Sequence, residues 1–237
     1  MNKTRYLIVN ADDFGQSAGI NRGIVAAHER GIVTSASLMV RWPDAREAAE
    51  YALARGNVSI GLHVDLGEWF FDRGEWKAMY EVVDLKCEGA VAAEVTKQIE
   101  SFRALLEHDP THLDSHQHVH LQEPVKSILL AASIELGVPL RSCESAISYC
   151  GGFYGQTAEG DNLPDVITVT NLKNILGELS DGISELGCHP GFAEDIKTRY
   201  RDQRADEVAV LCDHRIKAAI AELGIELISF AQLPVVA

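Results

Sequence analysis

The 237-residue chain is 46% hydrophobic and 24% charged, close to globular averages, which excludes a disordered, collagen-like or coiled-coil protein and allows a real core. Against 21 Lys and Arg stand 35 Asp and Glu, a formal charge of −14 with no basic stripe, so no nucleic-acid partner is expected. Five cysteines, odd in number and without a CxxC spacing, argue against both a disulfide framework and a zinc knuckle. The opening turns polar too soon for a signal peptide, and no run approaches the ~18 apolar residues of a membrane span. Together these features predict a cytoplasmic protein with no membrane partner.

No linker, low-complexity tract or internal repeat divides the chain, so a single domain over 1–237 is expected. Residues 6–10 form a short apolar run, and 17–30 follow with Ile20, Ile24, Val25 and Ala27 at helical spacing, closed by Gly31. A second strand is predicted over 32–40. Asp44 and Glu47 then give a D-x-x-E capping pattern for a helix that ends at Gly56. A third strand spans 58–66, and 67–89 reads as irregular. A helix over 90–106 precedes a strand-like stretch at 112–120 and a helix from Pro124 to Gly137. A fifth strand is predicted over 138–141, then a long loop over 143–164, a helix over 171–179 and a strand over 182–189. One helix over 205–223 and a last strand over 226–230 complete the chain. Alternating strands and helices imply a parallel sheet of about seven strands covered by helices, as an open doubly wound sheet or an irregular β/α barrel. In both, chemistry gathers at the C-terminal ends of the strands.

Those ends carry imidazoles and carboxylates. The first gives Asn10-Ala11-Asp12-Asp13-Phe14-Gly15, the third Gly61-Leu62-His63-Val64-Asp65, the fourth Asp114-Ser115-His116-Gln117-His118-Val119-His120, and the sixth Cys188-His189-Pro190-Gly191. Singly, an Asp pair also serves as a helix cap and a lone His as a core residue. As a set they read as a divalent metal site. On a strand His116, His118 and His120 share one face with Asp114, but the outer pair would stand ~13 Å apart, so one ion cannot bind all three. Ligands drawn from separate strands leave positions open for water and substrate, which points to hydrolysis. Asp12 and Asp13 can divide the work, one coordinating and one acting as base.

These residues resemble the YdjC-like carbohydrate deacetylases, which include the chitooligosaccharide deacetylases. The resemblance is carried by Leu7-Ile8-Val9-Asn10-Ala11-Asp12-Asp13-Phe14-Gly15, Gly31-Ile32-Val33-Thr34-Ser35, Gly61-Leu62-His63, the run from Pro110 to His120, and Cys188-His189-Pro190, in family order across nearly the whole chain. It implies an irregular β/α barrel, often homodimeric, that removes acetyl groups from N-acetylated sugars with one divalent metal. By position Asp13, His63 and His116 look like the ligands, Asp12 the general base and His189 the proton donor. His118 and His120 would line the pocket, with Asp114 beside them, and Arg141 would steady Asp12 by charge pairing. The family suggests magnesium, whereas two imidazoles and a carboxylate equally suit zinc, nickel, cobalt or manganese.

The sequence departs from the chitooligosaccharide members mainly between motifs, where Trp69, Phe70, Phe71, Trp76, Phe153 and Tyr154 could stack on sugar or pack a core. The alternatives are another metal-dependent barrel hydrolase, a phosphoesterase or an amidohydrolase, and a non-catalytic metal- or sugar-binding protein. A phosphoesterase would favour a basic clamp, and few basic residues flank the motifs. Neither a glycine-rich nucleotide loop nor a serine-hydrolase elbow is expected.

Overall fold

The strand Arg5–Phe14 (β1) is the axis of the molecule, buried from Leu7 onward because it is covered on both faces and paired along both edges. The computed structural model describes residues 4–163 and 165–233. The first three residues of the opening segment, Pro164 at the expected loop end and the last four residues of the expected domain lie outside them. On one edge β1 pairs in parallel with Gly182–Cys188 (β8). Ser35–Leu38 (β2) and Ile225–Ile228 (β9) share its other edge, β9 against Arg5–Ile8 and β2 from Asn10 onward. Beyond β2 lie Ser59–Val64 (β3) and Leu113–Ser115 (β6), and beyond β8 lies Ile147–Cys150 (β7). The result is a curled, all-parallel, seven-stranded sheet in the order β6-β3-β2-β1-β8-β7 with β9 on β1, an irregular and incompletely closed β/α barrel.

The helices Ala18–Glu29 (α1), Ala45–Arg55 (α2), Glu88–Leu106 (α3), Val125–Leu136 (α4), Val169–Glu178 (α5), Asp202–Leu211 (α6) and His214–Glu222 (α7) fill the crossovers. Ser17 accepts from the Ile20 N–H and opens α1. Asp44 precedes α2 without a side-chain cap bond, so the expected capping box does not form, while Gly56 ends that helix in the left-handed conformation as expected. The predicted helix over 205–223 is two helices. Asp213 turns extended and caps α7 through the Arg215 N–H, which breaks the run.

Three further expectations change. The irregular stretch after β3 contains an antiparallel hairpin, Gly67–Asp72 (β4) and Glu75–Glu81 (β5). The fifth strand over 138–141 reduces to a parallel bridge between Leu140 and Leu113, and the long loop after it supplies β7. The strand over 112–120 ends at Ser115, because Gln117 and His118 both take φ of 53° and the chain turns through a 3-10 segment, His116–Leu121. Ser115 Oγ accepts from the His120 N–H across that turn. The expected shared face of His116, His118 and His120 therefore does not exist.

Two glycines permit close approaches that position the site. A Cβ on Gly61 would fall 2.3 Å from the His112 ring packed beside it, and one on Gly23 would fall 2.3 Å from the Gly191 Cα, where α1 meets the segment after β8. Gly23→Ala is expected to destabilise the protein by ~1–3 kcal/mol through overpacking. Gly177→Ala, on the exposed side of α5 with nothing near the new Cβ, is expected to stabilise it by ~0.5–1 kcal/mol. Urea denaturation of the two variants checks both signs.

Candidate functional site

A cavity of about 490 Å³ opens at the C-terminal end of the sheet, with Asp12, Asp13, His63, His116, His118 and His189 on its walls. Neighbouring residues on a regular strand point to opposite faces, so Asp12 and Asp13 need a reason to reach the same cavity. Asp13 has φ of 68°, and the β1–β2 register shifts between Ala11 and Phe14. That break in the pleat turns both carboxylates inward, at a residue type that tolerates the left-handed region. The turn after Ser115 does the same for His116 and His118, while His120 drops below the cavity and bonds Ser115 Oγ and the Arg141 carbonyl. His120 is thus a supporting group and not the pocket lining that the resemblance implied.

Asp13 Oδ1 lies 3.3 Å from His63 Nε2 and 3.1 Å from His116 Nδ1. Its other oxygen accepts from Arg204 Nη2 at 2.5 Å. His63 Nδ1 is held at 2.9 Å by Asp114 Oδ1, which leaves Nε2 directed at Asp13. Burial pushes the Asp13 carboxyl up, but Arg204 and His116 hold it well below the usual carboxylate range. Burial likewise opposes charge on the two histidines, and carboxylates overcome it: Asp114 raises His63 well above its ordinary value, and Asp13 brings His116 up to about 9.

Asp12 faces a different set of groups. Its Oδ1 accepts from Arg141 Nη1 at 2.7 Å and Asn10 Nδ2 at 2.8 Å, and its Oδ2 lies 3.6 Å from His189 Nε2. Arg141, fully buried, also pairs with Asp114 and donates Nε to Glu185 on β8 at 2.6 Å. Burial raises Asp12, and Arg141 and His63 outweigh it and keep the carboxyl below its ordinary value. Burial pushes His189 down to about 4 despite the nearby charges of Asp12 and Asp13.

Among the described residues, two buried groups of side chains bring ligand atoms within 4.8 Å of one another: Asp13, His63 and His116, and Asp12, His63 and Asp114. The first fits a divalent cation. Its oxygen–nitrogen separations of 3.1 and 3.3 Å match the ~3.3 Å edge of a tetrahedron with ~2.0 Å bonds. His116 also leaves Nε2 buried without a hydrogen-bond partner. In the second group the Arg141 guanidinium already holds both carboxylates, and a cation there would meet its charge.

The cavity extends outward between the β4–β5 hairpin, which contributes Glu68, Trp69, Phe70, Phe71 and Trp76, and a wall with Tyr149, Tyr154 and Tyr200. Asp65, from the third strand-end motif, belongs to this scaffold: its carboxylate accepts from Arg41, Trp42 and Tyr80 and fixes the base of the hairpin. Phe153, by contrast, is fully buried core. Gly15-Gln16-Ser17-Ala18-Gly19 does spell G-x-S-x-G at a strand-to-helix turn, contrary to expectation, but Ser17 Oγ is committed to capping α1 and to Asp195. The scarcity of basic residues at the motifs is also corrected in three dimensions, since Arg199 and Arg204 reach the cavity wall. Arg204 and Glu207 escaped the sequence reading. Their signal was two charges on the buried stripe 204, 207, 208 and 211 of α6.

The curled parallel sheet and a site at its C-terminal rim define a β/α-barrel protein with a polar, histidine- and carboxylate-lined active-site cavity. The chain belongs to the YdjC-like protein family, whose profile matches residues 6–222. It is 31% identical to a carbohydrate deacetylase of Geobacillus stearothermophilus, with 96% of this chain and 98% of that protein covered. It is 30% identical to a chitooligosaccharide deacetylase of Serratia marcescens, with 97% and 99% covered. Among solved structures, a protein from Enterococcus faecalis V583 described in terms of cellobiose-phosphate cleavage superposes with a TM-score of 0.75 at 26% identity, covering 97% of this chain and 99% of that one. A family 4 carbohydrate esterase from Streptomyces lividans shares the fold, with a TM-score of 0.58 at 12% identity over 99% of this chain and 98% of that one.

The charge balance of the site gives a direct stability test. Arg141→Met leaves Asp12, Asp114 and Glu185 buried without their shared cation and is expected to cost ~3–5 kcal/mol in urea unfolding, the scale for breaking a buried ion pair.

Proposed function

We propose that the protein is a metal-dependent carbohydrate deacetylase that hydrolyses the N-acetyl group of an amino sugar. The observation that carries this reading is the convergence, in one aromatic-walled cavity, of the Asp13–His63–His116 cluster with a second carboxylate–imidazole pair, Asp12 and His189. A binding protein has no use for the second pair. The names of the Geobacillus and Serratia relatives support the same chemistry and substrate class.

Asp13, His63 and His116 would hold the cation, with Asp114 fixing the His63 ring. When bound, a divalent ion supplies a Lewis acid that polarises the acetyl carbonyl and lowers the pKa of water. Asp12 Oδ2, the oxygen left free by Arg141 and Asn10, accepts the proton of the attacking water while the water oxygen bonds to the acetyl carbon. His189, 3.6 Å away and neutral in the resting protein, relays that proton to the departing nitrogen as the C–N bond breaks. Acetic acid and the free amine result, with no net change in the protein's proton count, and the acid then passes its proton to the amine, giving acetate and an ammonium. The Phe71–Trp76 pair and Tyr154 offer apolar faces for sugar rings beside this centre.

Zinc suits the two imidazoles, and magnesium follows from the family resemblance. A cytoplasmic location and a homodimer complete the reading. Acetate release from N-acetylglucosamine and N,N′-diacetylchitobiose, assayed on chelator-treated protein with zinc, magnesium, cobalt or nickel added back, is the test. Activity is expected only with added metal. Asp13→Ala and His63→Ala are expected to lose metal, measured calorimetrically. Asp12→Asn should keep it and lose ~10²-fold or more in turnover. Equal metal loss in all three variants would contradict the division of roles.

A further inference from the structure

We infer that Glu207, with Tyr200, is a positioning residue for proton delivery by His189; this rests on the deacetylase reading above. Glu207 lies on α6, fully buried and outside the cavity wall. One carboxylate oxygen accepts from the His189 backbone N–H at 2.5 Å, and the other accepts from the Tyr200 hydroxyl at 2.5 Å. The Tyr200 oxygen is in turn fixed by the Gly155 N–H at 2.9 Å. One carboxyl group thus holds both the main chain of His189 and a tyrosine whose ring meets the His189 imidazole edge-on, with centroids 5.6 Å apart. Tyr154 stacks on Tyr200 at 4.6 Å and lies 5.1 Å from the same imidazole, so the ring packs against both phenols of a stacked pair.

An amide side chain would hold this segment only in part. Two donors, the His189 N–H and the Tyr200 O–H, converge on Glu207, and a carboxylate has two acceptor oxygens to meet them. An amide in its place brings one oxygen and an NH₂ that must oppose one of those donors. Burial raises the Glu207 carboxyl to about 8, against the bonds from Tyr200 and the His189 N–H and the charge of Arg204, showing that an acid here is held at a cost. An expensive buried acid with one bond at the His189 main chain and the other at a tyrosine packed on the His189 ring is better explained by positioning than by packing. One turn earlier on the same helix, Arg204 bonds Asp13 Oδ2 and the His189 carbonyl. Helix α6 therefore sets the distance between the two halves of the reaction centre.

The test is steady-state hydrolysis of N,N′-diacetylchitobiose by Glu207→Gln, Tyr200→Phe and His189→Ala, and by the Glu207→Gln/His189→Ala double variant, with zinc affinity measured by calorimetry for each. Glu207→Gln is expected to lower kcat at least ~10-fold with KM and zinc affinity within about twofold, and to cost nothing further once His189 is alanine. Tyr200→Phe is expected to lower kcat in the same direction by less, and serves if Glu207→Gln does not fold. A kcat within twofold of wild type for both variants, a parallel loss of zinc affinity, or additive losses in the double variant overturns the positioning role while leaving the reading of His189 intact. Unchanged turnover in His189→Ala overturns the proton-relay reading itself, and the positioning role with it.

Discussion

The structure is organised around buried negative charge. Asp12, Asp13 and Asp114 lie at the C-terminal end of the sheet and Glu185 lower down, on β8 opposite Ile8, each nearly inaccessible to water, and two guanidiniums make that arrangement tolerable. Arg141 crosses the barrel interior to join β1, β6 and β8 through three carboxylates, and Arg204 neutralises the fourth from helix α6. Taking ions out of water costs several kcal/mol each, and attraction offsets this only where hydrogen bonds are complete. Asn10 and Ser37 supply the missing bonds, to Asp12 and Asp114 respectively.

This arrangement explains the differing character of the two aspartates. Arg141 and Asn10 leave Asp12 one free oxygen facing His189, while Arg204 leaves Asp13 one oxygen facing two imidazoles. The raised values of His63 and His116 have the same origin: protons on those rings balance carboxylate charge that a divalent cation would balance instead. Adjacent residues of one strand are thereby given separate chemistry by the arginines behind them.

Much of this was legible in the sequence because strand–helix alternation places C-terminal strand ends at one rim, and the motifs containing Asp12, Asp13, His63, His116 and His189 fell at those ends. The pairing of Arg141 with Asp12 was expected only through the family resemblance. What the sequence concealed depended on backbone torsions and on contacts distant along the chain. The alternation H-x-H-x-H has the period of a strand, yet the left-handed Gln117 and His118 make it a turn and divide three histidines among three environments. The hairpin after β3 lacked a conspicuous apolar alternation because its β5 strand is exposed along most of its length. Arg204 and Glu207 read as ordinary helix-surface charges until the 3.6-residue period is seen to place them on the buried stripe of α6.

The central claim is that the cation site is formed by Asp13, His63 and His116 and not by the neighbouring Asp12, His63 and Asp114. The most direct test is a crystal structure of the zinc-soaked protein with anomalous diffraction measured at the zinc edge. The account predicts one anomalous peak ~2 Å from an Asp13 oxygen, His63 Nε2 and a nitrogen of His116, with Asp12 outside bonding distance. A peak bonded to Asp12 and Asp114, with Arg141 displaced from them, would contradict it.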